Sequence, residues 1–145
     1  MNTVIVHHAS RIRIYWSAWL AVVALALLLR FTVFLGASSN NLFALASVYA
    51  VSTWLSVMVL NVVEGRRLSS YLREHHPQKW AWLTYVPGLG SGMHNGFRTL
   101  RWLYSADDLD DPVVAGIKKE HRRFIKWMLT VFFSYIVVMP VLLGL

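Results

Sequence analysis

The chain has 145 residues, 57% of them hydrophobic and only 14% charged, with a mean hydropathy of +0.48. Soluble domains carry about a quarter of their residues charged, so the balance excludes a soluble globular chain, a disordered tail and a collagen-like repeat. The absence of cysteine excludes a disulfide framework, a thiolate metal site and a cysteine nucleophile.

The net charge of +7 points, for a membrane chain, to anionic phospholipid headgroups and not to nucleic acid. A bilayer core about 30 Å thick takes roughly 20 apolar residues as a helix. Three stretches meet that length: residues 14–35, interrupted by Arg30; residues 42–63, without charge; and residues 127–145. The expected fold is therefore all-α, an integral membrane protein with three transmembrane helices. An N-terminal arm and transmembrane hairpin would fill residues 1–63, a basic cytoplasmic segment residues 64–126, and the third span residues 127–145.

Arg11 and Arg13 precede the first span, and the apolar run after them is too long for a signal-peptide core, so it reads as an uncleaved anchor. Ser17, Ala21 and Ala24 on the first span, with Ala46, Ala50 and Thr53 on the second, offer small-residue stripes for close backbone approach. The six-residue turn at 36–41 carries no charge and forces these spans antiparallel. Trp16, Trp19 and Trp127 lie near span ends, where amphipathic rings favour the headgroup level.

Arg66, Arg67, Arg73, Lys79, Arg98, Arg101, Lys118, Lys119, Arg122, Arg123 and Lys126 all fall between the second and third spans. Cytoplasmic loops carry the Lys/Arg excess, so the N-terminus and residues 64–126 are expected in the cytoplasm and the C-terminus outside. From Glu64 the second span can continue as a helix with Leu68, Tyr71, Leu72 and His75 on one face, until Pro77 stops it. Residues 87–92 (PGLGSG) read as a hinge. Met93, Phe97, Leu100 and Tyr104 then recur at helical spacing, with Arg98 and Arg101 off that stripe. Asp111 is a good N-cap and Pro112 suits the first helical position. A single helix is expected from near residue 112 through the third span, with Val113, Ile117, His121, Phe124 and Met128 on one face. Lys118, Lys119, Arg122, Arg123 and Lys126 would take the other, against the inner headgroups.

Candidate chemistry is sparse. Asp107, Asp108 and Asp111 form a D-D-x-x-D pattern, which could hold Mg²⁺ against a lipid diphosphate because a hard cation takes carboxylate oxygens. The competing reading is a set of acids before a helix N-terminus, favoured by the macrodipole and by nearby arginines. His75, His76 and His121 show no H-x-x-x-H spacing, so a surface or packing role is expected for them and for the N-terminal pair His7 and His8. No G-x-S-x-G nucleophile elbow and no Walker loop occurs, and no cofactor is implied. Arg30 is the charge inside a span: its stem can snorkel outward, or its guanidinium can pair with a carboxylate of a partner or of Leu145. Pro140, inside the third span, should bend it mildly.

Several segments together carry a resemblance: residues 72–77 (LREHHP) with Trp80, residues 97–105 (FRTLRWLYS), Asp110-Asp111-Pro112, and Arg122-Arg123-Phe124. Over its C-terminal half the chain resembles small proteobacterial inner-membrane proteins of the universal stress protein B type. The resemblance implies a bacterial inner-membrane protein without a defined enzymatic activity. The hairpin of the first two spans has no counterpart in that group's two-span pattern. The leading expectation is a non-catalytic accessory subunit on a larger inner-membrane complex, its basic segment on lipid. A Mg²⁺-dependent enzyme using residues 107–111 and a stress-related membrane protein acting alone are the alternatives.

Overall fold

The computed structural model describes residues 8–88, 90, 92 and 95–145, the side chains of residues 8–10 aside. Met93 of the expected stripe and His7 lie outside the described residues. Among the described residues five helices follow in chain order: α1 His8–Thr32, α2 Ser39–His75, α3 Pro77–Thr84, α4 Gly96–Leu103 and α5 Pro112–Leu143. The described residues are all-helical in their regular structure, and three of these helices are long and apolar enough to cross a membrane, within Arg11–Thr32, Ser39–His75 and Pro112–Leu143. Two compact units are formed, one from residues 1–59 and 123–145, the other from residues 60–122.

In the first unit α1 ends where the amides of Val33 and Phe34 both bond the Leu29 carbonyl, at 3.0 and 2.9 Å. Gly36 then takes φ +76°, with nothing within 4 Å of where a Cβ would stand. Backbone conformation, and not space, therefore asks for glycine there. Ala26, Ala46, Tyr49, Val138 and Leu142 make the buried core. The two alanines carry almost no side chain, which lets helices pack closely without hydrophobic drive from water. On α2 the stripe falls as expected at Ala46 and Thr53, but on α1 it does not. Ser17, Ala21 and Ala24 are exposed, and Val23, Ala26 and Leu27 pack inward instead.

Several serine and threonine hydroxyls in the apolar helices are satisfied locally, as hydrocarbon favours, whereas the buried Tyr49 hydroxyl has no hydrogen-bond partner among the described residues. Thr53 donates to the Tyr49 carbonyl at 2.7 Å, Ser56 to Ser52 at 2.8 Å and Ser134 to Val131 at 2.6 Å. Tyr135 reaches across to the Ala50 carbonyl at 3.0 Å and joins α5 to α2. Pro140 sits inside α5, which continues to Leu143 and closes through Gly144 at φ +77°.

In the second unit the long second helix runs past the apolar stretch to His75, as the pattern at Leu68 and Leu72 requires, and both leucines are buried. Pro77 ends it, yet also opens α3, because a proline needs no amide partner at a first helical position. Leu83, Trp102, Leu103 and Val114 complete this core, each at most 4% exposed. Val86 and Gly90 exchange reciprocal backbone bonds, at 2.8 and 3.0 Å. Gly88, Gly90 and Gly92 all take positive φ, while Leu89 and Ser91 of the expected hinge lie outside the described residues.

Candidate functional site

The chemistry-bearing residues of the second unit gather where α2 ends and α5 begins. Asp111 caps α5 through its Oδ1, which accepts the Val113 amide at 2.8 Å. Its Oδ2 accepts the Tyr71 hydroxyl at 2.9 Å and lies 2.8 Å from His76 Nε2. One carboxylate thus ties together the end of α2, the residue before α3 and the start of α5. Burial pushes the Asp111 carboxyl up, but bonds from His76, Tyr71 and the amides of Val113 and Val114 outweigh it and hold it at about 2.

The neighbouring aspartates face other partners. Lys79 bonds Asp107, and that bond chiefly keeps the Asp107 carboxyl below its ordinary range. Asp108 Oδ1 lies 2.9 Å from Lys118 Nζ. The three carboxylates of the D-D-x-x-D pattern are therefore engaged by four groups of the chain itself: Lys79, Lys118, Tyr71 and His76. Among the described residues no group of three or more His, Asp or Glu is placed to share a metal ion.

Lys118 corrects the expectation that it lies among headgroups. Its side chain is 0% exposed and donates to the carbonyls of Ser105 at 3.0 Å and Asp107 at 2.9 Å. Its ammonium also stands 4.8 Å from the centroid of the Trp102 ring. The stem packs as hydrocarbon while the head serves as an internal cap on the loop 104–111. The expected face of α5 holds at Phe124, 2% exposed, but at the start of the helix Val114 is fully buried while Val113 is 39% exposed.

The same loop holds Leu109 and Asp110 at φ +57° and +52°. Aspartate tolerates that region, whereas leucine adopts it at some cost. Leu109 joins His75, His76, Pro77, Gln78, Lys79 and Trp82 around an open groove of about 490 Å³. His75 stacks on Tyr71 at 4.3 Å with its Nδ1 3.2 Å from the Tyr71 carbonyl. That contact requires a proton on Nδ1 and leaves Nε2 toward the outside.

Helix α4 presents the face the sequence did not foresee. Asn95 caps it by accepting the Arg98 amide at 3.2 Å. Thr99, Trp102 and Leu103 turn inward, while Phe97 (90% exposed), Leu100 and Tyr104 turn out. Arg101 shares that outward face, because it lies one helical turn beyond Phe97. Arg98 bonds the Trp82 carbonyl at 3.0 Å and stacks on Trp82 and Tyr85, at 5.3 and 5.4 Å.

Of the remaining expected contacts, Arg66, Lys119, Arg123 and Lys126 are exposed, and Arg67 and Arg122 are half-buried. Arg73 lies 5.6 Å from the Trp80 ring. Trp16 and Trp19 are half-buried and meet edge to face at 5.7 Å. Trp127 is 3% exposed, packed between Tyr15 and Phe124, so it is a core residue of its unit and not an anchor on lipid. Arg30 donates to the Phe34 carbonyl at 3.3 Å, lies beside Gly144 and leaves its buried Nε without an acceptor.

Set against models of known protein families, curated proteins and solved structures, the chain matches none.

Proposed function

We propose that the protein is a non-catalytic accessory or scaffold subunit. In this reading it packs on a larger complex of a bacterial inner membrane and rests its basic segment on anionic phospholipid. The supporting observation is how little its spanning helices cover one another: 6% of the most apolar window of α1 is buried within the chain, and 22% of those of α2 and α5. Faces left so open suit a chain whose neighbours are other helices and lipid tails. Arg30 adds to the case, since a charge in a span customarily faces protein or a polar cavity.

The cluster at 107–111 supports a structural part over a catalytic one, because Lys79, Lys118, Tyr71 and His76 occupy its carboxylates. The Lys/Arg excess between the second and third spans argues for a cytoplasmic N-terminus and midsection and a periplasmic C-terminus.

Purification in mild detergent, with mass spectrometry of what accompanies the chain, tests the proposal. A stoichiometric integral partner is expected, and a free monomer overturns it. The orientation has its own test: the Arg101→Cys variant should react with impermeant maleimide from the cytoplasmic side only.

A further inference from the structure

Helix α4 has two apolar faces. With about 100° between successive residues, Thr99, Trp102 and Leu103 share one side and are buried in the second unit. Phe97, Leu100, Arg101 and Tyr104 share the opposite side, and all four are exposed. The inward face supplies the buried packing of the unit, whereas Phe97 on the outward one is 90% exposed and Leu100 and Tyr104 are about half exposed. A helix that carries large apolar side chains on two opposite sides calls for a second apolar environment on the side its own fold leaves open.

We propose that this outward face is a membrane-surface anchor, in which Phe97, Leu100 and Tyr104 enter the headgroup–acyl boundary and Arg101 bonds an anionic lipid phosphate. The proposal rests on the membrane reading above and deepens it by naming the face that meets lipid.

The composition of the face selects this occupant. Aromatic rings, an aliphatic residue and an arginine within one stripe match interfacial helices, whose apolar side lies under the headgroups while cations attract anionic lipid. Trp82 and Tyr85, both exposed and each stacked against Arg98, extend the same amphipathic chemistry beside it. The chain's charge of +7 is complementary to such a surface. Residues 60–122 are also covalently continuous at both ends with candidate membrane-spanning helices. Tethering makes lipid contact an intramolecular event, so an eight-residue helix too weak to bind vesicles alone suffices here.

The natural absence of cysteine gives a clean test. The full chain carrying Phe97→Cys, labelled with an environment-sensitive fluorophore, is placed in nanodiscs of phosphatidylcholine with phosphatidylglycerol. The expected result is blue-shifted emission quenched by nitroxide lipids, at a depth of about 5–10 Å below the headgroups. In pure phosphatidylcholine, or with Arg101→Gln added, quenching should fall. Water-like emission without quenching overturns the proposal, as does quenching equal in both lipids and indifferent to Arg101→Gln. A probe shielded only by a co-purified protein also overturns it, in favour of a protein contact. None of these outcomes depends on whether an integral partner is found. Because Phe97 is 90% exposed, the substitution leaves the packing of the unit intact, which circular dichroism of the same sample verifies.

Discussion

Replacing Lys118 by methionine keeps a flexible apolar stem but leaves the carbonyls of Ser105 and Asp107 without their donor. Breaking a buried pair costs about 3–5 kcal/mol, and Asp108, at 42% side-chain exposure, recovers part of that by hydration. Lys118→Met is therefore expected to lose about 2–3 kcal/mol, read from equilibrium unfolding of the full chain in micelles. Asp111 carries a different signature. Its carboxyl falls from an ordinary 3.8 to about 2 in the folded protein. Such a depressed group adds stability in full above pH 3.8 and loses it as pH drops through about 2. Melting temperature should accordingly decline across that window in the native chain and be flatter there in Asp111→Asn, while Asp111→Ala loses about 1 kcal/mol of capping alone. Of these two residues only Asp111 was legible beforehand: an aspartate before proline announces a helix start, whereas a lysine in a run of basic residues reads as solvated. What hides Lys118 is that its partners are main-chain carbonyls of a loop, and those have no signature in side-chain identity.

At the scale of elements, the reach of α2 to His75 and the unbroken α5 from Pro112 could be read from apolar spacing bounded by proline. Helix α3 could also have been foreseen, since Pro77 both stops one helix and starts another. The facing of α4 could not. Phe97, Leu100 and Tyr104 recur at the same period as Thr99, Trp102 and Leu103, so periodicity shows a helix but not which side packs. The contrast is measurable. Trp102→Ala should cost about 3–5 kcal/mol, whereas Phe97→Ser should change the stability of the fold by no more than about 0.5 kcal/mol. Equal losses in thermal melts of the two variants would reverse the facing.

For the whole molecule, hydropathy sufficed to count the spans because length and apolarity alone decide whether a helix can cross a bilayer. It could not find the face of α1 that packs, since small residues occur on several sides of that helix. Ala46 is 1% exposed in the core of the first unit. Filling that position, as in Ala46→Leu, should cost about 1–3 kcal/mol by overpacking, read as a lower melting temperature in detergent. Ala24→Leu, at an exposed site, serves as its comparison.

The carboxylate knot at Asp111 also sets a timetable for synthesis. Tyr71 precedes Asp111 by 40 positions, and a ribosome adding about 5–20 residues each second needs about 2–8 s to cover that distance. During that interval the nascent chain carries Leu68 and Leu72, joined in its last quarter by Trp102 and Leu103, before the Val114 that completes the core has been made. A chain ending before Asp111 therefore lacks both the carboxylate that ties Tyr71 to His76 and the Val114 that closes the core.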